Sequence, residues 1–380
     1  MIASANPAHG GPIEALKQTT KVLSTLGHVT EAVTLDDPAD PWVKDSNFVN
    51  HALGPRTRIY GFSRRLIPWL KKNAGTYDVV IQHGLWNYTS FATWSALKSI
   101  SKPYYVYTHG MLDPWFRQSY PIKHIAKQIV WWLADGCLIR DARAVLFTTE
   151  EERLLARNAF WPYHPREVVV SYGTADVPSD PDKQTAAFRQ LLPQSGGRRY
   201  LLFLSRIHPK KGCDLLIRAF ASVASTYPDL DLVVAGPDQL GMGAELKNIA
   251  RQESIAHRIY WLGMLQGDVK WGAFRGCEAF VLPSHQENFG IVVAEAMACG
   301  RPVLITNKVN IWREVQAANA GLVSDDNQSE VTDLLRRFLA MPPQHIAGMA
   351  NAARQLFLNR FEIEGVAKNL LAILNQTSAA

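Results

Sequence analysis

The sequence predicts an α/β protein made of two doubly wound parallel sheets that face each other, one in each half of the chain. Three observations carry that expectation. Short apolar runs alternate with helical segments along both halves of the 380 residues, and such alternation specifies parallel sheets covered by helices. Many of those runs lead into turns rich in glycine, proline or polar residues, as strands entering crossover connections do. A stretch rich in Asp, Pro, Gln and Gly, residues 174–199, parts the two halves and reads as a linker with the lead-in to the second. The first domain is therefore expected over residues 1–180 and the second over 181–357, with a closing segment at 358–380.

Composition narrows the class. Hydrophobic residues make up 47% of the chain and charged ones 19%, enough to bury sizeable cores. The longest apolar candidate, residues 129–139, is too short to span a bilayer and contains Asp135. Residues 1–7 lack the basic start and long apolar core of a secretion signal. Cys137, Cys213, Cys277 and Cys299 are scattered without a paired spacing, which suits a reducing cytoplasm. The net charge of +6 is shared equally between the halves, so no basic domain points to nucleic acid.

In order, Ala5-Asn6-Pro7-Ala8-His9-Gly10-Gly11-Pro12 reads as a strand end and glycine turn, followed by a helix that stops at Gly27. Gly10 and Gly11 would let backbone approach a ligand at a helix start, although an ordinary βα turn has the same residues. Residues 28–35 read as a strand and 36–58 as irregular. No acid lies between Asp45 and Asp78, while Arg56, Arg58, Arg64, Arg65, Lys71 and Lys72 all do. Ile59, Phe62, Leu66, Trp69 and Leu70 recur there at helical spacing, with Pro68 as a kink or helix start. Such a helix suits an anionic membrane surface, and it equally suits a core-packed helix with a solvated basic face, which is preferred.

Residues 77–84 and 103–110 each read as a strand ending in a polar turn, with a helix over 91–100 between them. His83 and His109 stand at carboxyl ends of strands, where open parallel sheets bind ligands. The helix over 121–138 carries Lys123, His124, Lys127, Trp131 and Trp132; it suits an acceptor groove or a membrane, with core packing of both tryptophans the stronger expectation. Residues 142–149 form another strand, and Glu150-Glu151-Glu152 starts a helix where acids suit the dipole. Residues 168–170 close the first half.

The second half opens with a strand at 200–205 and the loop Arg206-Ile207-His208-Pro209-Lys210-Lys211-Gly212. Cations in a strand-to-helix loop form a cradle for a diphosphate. Strands follow at 230–235 and 259–265. The run Ala279-Phe280-Val281-Leu282 is then broken by Pro283 and Ser284, and Gly290 opens an apolar helix stopped at Gly300. Glu295 sits inside that almost uncharged helix, with Glu287 in the loop ahead of it. A buried carboxylate without donors costs several kcal/mol, so hydroxyls of a sugar or ribose, or a nearby Arg such as Arg301, should satisfy it. Strands at 302–305 and 320–323 complete the sheet, and residues 343–375 read as two helices broken near Arg360-Phe361.

Glu287 and Glu295, with seven residues between them and Asn288-Phe289-Gly290 after the first, resemble the E-x7-E signature of the retaining glycosyltransferases of family four. The resemblance covers most of the chain and is most specific over residues 200–323. It implies the GT-B fold, with two Rossmann-like domains facing a central cleft and a last helix crossing back to the first domain. It implies catalytic roles for Glu287, His109, Arg206 and Lys211, with His109 facing the transferred sugar and Arg206 and Lys211 neutralising the diphosphate. Lys210 would be a neighbour of that pair. Donor contacts are implied for Gly10, Gly11, Arg206, Lys211, Glu287, Asn288, Phe289, Gly290 and Glu295, with Glu295 on the ribose and residues 259–265 near the base. A longer strand normally precedes the glycine pair in the family, so the start is expected to clip it.

The implied activity is retaining, metal-independent hexosyl transfer from a nucleotide-diphosphate sugar, UDP- or GDP-linked, to a hydroxyl of a glycan or lipid-linked acceptor. The setting is cell-surface polysaccharide biosynthesis in the cytoplasm, at the inner face of the membrane. No cofactor is expected. Asp229-Leu230-Asp231 has a metal–diphosphate spacing but begins a strand after Tyr227-Pro228, so turn chemistry accounts for it. No Cys/His spacing suits zinc, and the glycine turns match neither the P-loop nor G-x-G-x-x-G. Two alternatives stay open: a nucleotide-sugar epimerase or hydrolase on the same fold, and a non-catalytic nucleotide-sugar-binding protein at the membrane.

Overall fold

The computed structural model describes residues 1–7, 11–44, 48–57, 60–192 and 197–378. The chain divides into two compact units, one formed by Met1–Gly173 with the segment from Ile363 onward, the other by Thr174–Glu362. The first unit ends ahead of residue 180 because the supposed linker contains the helix Pro181–Leu191, which buries Phe188 against the second unit's Tyr200. Asp180 caps that helix by accepting from the Lys183 N–H at 3.2 Å.

In the first unit, β3 (Val80–His83), β4 (Tyr104–Tyr107), β5 (Ala144–Phe147) and β6 (Glu167–Val169) form a parallel sheet in chain order. A separate parallel pair joins β1 (Glu31–Thr34) to β2 (Val49–Ala52). The second of these lies in the stretch read as irregular. Its side chains are half-buried or exposed, so no apolar pattern marks it. Both faces of the larger sheet are covered, which explains its continuous apolar strands. Val106, Val145 and Phe147 point to the face packed with Leu66, Leu97 and Trp131, whereas Tyr105, Tyr107 and Leu146 point to the face that Leu370 and Leu374 cover. Those two leucines belong to the closing helix Ile363–Ser378, which packs in this unit.

The second unit has six parallel strands: β7 (Arg199–Leu204), β8 (Leu230–Ala235), β9 (Ile259–Gly263), β10 (Ala279–Leu282), β11 (Val303–Thr306) and β12 (Gly321–Ser324). Their spatial order is β12-β11-β10-β7-β8-β9. The chain runs outward from β7 in one direction and from β10 in the other, the doubly wound order of a Rossmann sheet. Strand order therefore reverses between β7 and β10, and an open sheet binds ligands beyond the carboxyl ends at such a point. The loops that leave those two strands are the cationic turn 206–212 and the segment 283–290. Topology alone brings them together.

Candidate functional site

The turn after β7 is held by the strand beside it: Ser205 N–H donates to the Ala235 carbonyl at 3.0 Å and Ile207 N–H to that of Pro237 at 2.9 Å. His208 then caps a short turn over Pro209–Lys211, its Nδ1 accepting from the Lys210 N–H at 3.1 Å. Burial first, then the charges of Arg206, Lys210 and Lys211, hold the His208 imidazole below its usual pKa, which keeps Nδ1 an acceptor. Gly212 has φ +63°, and a Cβ there would run into the Pro283 carbonyl. The two loops are thus in direct backbone contact.

That contact brings the Lys211 ammonium onto the Glu287 carboxylate, with Lys211 only 6% exposed. Glu287 is pinned by its own backbone: its N–H donates to the Lys308 carbonyl at 2.9 Å, and its carbonyl accepts from Asn310 N–H at 3.0 Å. Beyond it, Gly290 takes φ +78° and starts the helix Ile291–Ala298. Phe289 turns inward and meets Phe361 edge-on, ring centres 5.4 Å apart, so its side chain anchors the loop. Asn288 faces Asn310 at 3.5 Å. Arg206 is exposed and Lys210 bonds Gln286 at 3.2 Å. Gly11 begins the helix Gly11–Thr25 of the first unit, while Gly10 lies outside the described residues.

Glu295 is buried on that helix and accepts from Lys270 Nζ at 2.6 Å. The sequence suggested Arg301 for this place, but the Arg301 guanidinium donates to the Cys277 carbonyl instead. Lys270 stands on the helix Gly267–Gly276 after β9, and no spacing rule links it to Glu295. Asp231 is likewise committed, with Arg198 and Arg258 each 2.9 Å from one of its oxygens.

In the first unit, His109 has φ +52°, uncommon for a residue with a side chain. Glu152 holds both of its neighbours. One carboxylate oxygen accepts from Thr108 Oγ1 at 2.6 Å and Gly110 N–H at 2.5 Å; the other accepts from the Thr148 N–H and hydroxyl, both at 2.7 Å. Thr149 caps the helix Glu150–Ala156 and receives the Glu152 N–H, so Thr149-x-x-Glu152 is the local signal for this group. The His109 Nε2 lies 3.0 Å from His83 Nδ1, and its Nδ1 meets the Tyr172 hydroxyl. Burial pushes the His109 pKa down to about 3 and holds that of Tyr172 well above its usual value. The phenol therefore donates to Nδ1, and the neutral His109 donates its Nε2–H to His83 Nδ1. Beside this loop lies a pocket of about 280 Å³, walled by Phe116 and Phe160 and edged by Asp113, Arg117, Lys123 and Lys127.

The family described as "Glycosyl transferases group 1" matches residues 184–356, and "Glycosyl transferase 4-like domain" matches residues 10–173. The second unit carries a group 1 glycosyl transferase domain and the first a glycosyl transferase 4-like domain. Among its curated relatives, the D-inositol 3-phosphate glycosyltransferase of Rhodococcus jostii (strain RHA1) is 30% identical over 234 residues, 60% of this chain and 51% of that protein. The chain spans about half the length of the curated relatives it matches. Among solved structures, Anabaena HepE in complex with UDP superposes with a TM-score of 0.79 at 18% identity, covering 99% of this chain and 98% of that one. Sucrose-phosphate synthase from Thermosynechococcus elongatus gives 0.73 at 18% identity, over 97% and 94%. These likenesses show the GT-B fold.

Proposed function

We propose that the chain moves a hexose from a nucleotide-diphosphate sugar to a hydroxyl of a glycan or lipid-linked acceptor, with retention and without a metal. The observation that carries this reading is the Lys211–Glu287 pair at the switch point of the second sheet, in the loop ahead of the helix that carries the buried Glu295. As the bond from the anomeric carbon to the diphosphate breaks, charge grows on the leaving oxygens. Lys211, Arg206 and the helix start at Gly290 oppose it. Glu287 orients hydroxyls of the donor sugar and Glu295 accepts from the ribose. The acceptor oxygen bonds the anomeric carbon on the face the diphosphate leaves, and its proton passes to the departing phosphate.

His109 serves as a neutral group that exchanges His83 for a sugar hydroxyl. The pocket edged by Lys123 and Lys127 receives the acceptor. The product belongs to cell-surface polysaccharide assembly at the inner face of the membrane. UDP- and GDP-sugars remain joint candidates; a thermal-shift panel of both separates them, since a ligand preferring the folded state raises its stability. Turnover with and without acceptor hydroxyl tests the reading against an epimerase or hydrolase. Donor consumed equally in both cases, with no glycoside formed, would reject transfer.

A further inference from the structure

The helix Pro121–Val130 and the π-helical turn Trp131–Asp135 that continues it present two unlike faces. On the inner one His124 stacks on Phe160 at 4.6 Å, Lys127 lies over the Trp86 ring, and Trp131 is buried. The sequence favoured core packing for both tryptophans, but Trp132 points the other way and is 53% exposed. It lies on an outer face with Ile122, Ile125, Ile129 and Leu133, at the spacing that puts residues on one side of a helix. Ile122 is 83% exposed and Leu133 70%. The Trp132 indole N–H donates to the Trp161 carbonyl at 2.9 Å, which sets Trp161, 74% exposed, beside the same face.

Single exposed apolar residues are ordinary on a protein surface; six large ones in one strip are not. Both indoles show their rings outward, and that of Trp132 has its N–H already satisfied within the protein. Residues 114–134 also contain Arg117, Lys123 and Lys127 and no acid. The Lys123 ammonium rests over the Tyr120 ring, 4.9 Å from its centre, at the start of the same helix. Aliphatic and indole side chains along one edge of a helix, with cations beside them and no acids, match the boundary between acyl chains and anionic headgroups.

The basic segment that sequence reading singled out does not offer such a surface. In its helix Leu66–Asn73, Leu66 and Leu70 are buried and Ile67 and Trp69 pack on the core. No helix among the described residues is long and apolar enough to cross a membrane.

We propose that the outer face of residues 122–133, with Trp161, docks on an anionic lipid bilayer and lies in its interface. This inference goes beyond sugar transfer and does not depend on it.

The test is sedimentation of the full chain with vesicles of phosphatidylglycerol and phosphatidylethanolamine, or of phosphatidylcholine alone, with tryptophan emission followed in parallel. The expected result is binding to the anionic vesicles with a blue shift, lost by about tenfold or more in Ile125→Glu/Leu133→Glu. Lys123→Gln should weaken binding less and flatten its salt dependence. Unchanged circular dichroism and donor turnover in solution would show that the double variant folds. The control Arg64→Gln/Lys71→Gln should bind as the parent does. Three results would overturn the proposal: no vesicle binding by the parent chain, equal binding by the double variant, or a dimer in solution that the double variant dissociates while vesicles bind neither.

Discussion

The second unit holds the two glutamates of its candidate site with ammonium groups, whereas the first holds the buried Glu152 with neutral donors. Glu287 meets Lys211 and Glu295 meets Lys270. Glu152, buried like Glu295, takes four hydrogen bonds from two hydroxyls and two backbone N–H groups. A charged pair can be opened by a ligand that brings its own charge, because each partner can be re-satisfied. A carboxylate bound to strand ends cannot let go without loosening the strands. The first arrangement suits a site that binds a diphosphate, and the second suits a scaffold that holds one residue, His109, in a costly backbone conformation.

The largest effect should come from separating the charged pair. Lys211→Ala should lower donor turnover about 100- to 1000-fold, as losing one group that stabilises developing charge does elsewhere, or about 3–4 kcal/mol of barrier. Steady-state kinetics on the purified protein measures it. Turnover within a few-fold of the parent would remove Lys211 from the proposed diphosphate site and leave the pair a structural one. Glu152→Gln should act differently, destabilising the fold by about 2–3 kcal/mol in denaturant titration, since its amide N–H2 would face N–H and O–H donors. Should that variant keep full stability, the contrast between the units would fail.

The same contrast sets what the sequence makes legible. The strand–loop–helix around Glu287 could be read because its signals are local: an apolar run stopped at Pro283, then a glycine at a turn that needs positive φ. Lys270 could not, since its partner lies 25 residues away on another helix and pairing there follows only from the folded sheet. Glu152 carried a capping signal, yet its grip on Thr108 spans 44 residues. The apolar period over residues 122–133 was visible too. Which face it served was decided by His124 and Trp131 packing inward, and that is a tertiary fact.

The neutral chain of the first unit makes a prediction in pH. The folded pKa of His109 is about 3, below the usual 6.5, so folding releases a proton when pH lies between those values. The stability His109 contributes is complete above about 6.5 and is lost as pH falls toward 3. At pH 5 the loss amounts to about 2 kcal/mol, roughly one and a half pKa units at 1.36 kcal/mol each. His109→Gln should flatten that part of the stability–pH curve, measured by urea titration at pH 5 and 8. A variant with the parent's slope would mean that His109 titrates normally, and the hydrogen-bonded chain from Tyr172 to His83 would lose its meaning.

The smallest expected effect has the opposite sign and lies at the base of the exposed helix. Asp135 is fully buried at the end of the π-helical turn, and burial pushes its pKa up to about 6, against hydrogen bonds from Trp86 N–H and Ser90. A folded pKa above the unfolded one means that folding takes up a proton, so this group costs stability as pH rises from about 3.8 to 6. Lys127, which also faces the carboxylate, offsets part of that cost. Asp135→Asn keeps an oxygen for the Trp86 N–H and turns an amide toward Ser90. It should therefore gain about 1 kcal/mol at pH 8 and nothing at pH 4, where Asp135 is already protonated. Equal effects at both pH values would assign the change to packing in the turn rather than to the titration of Asp135.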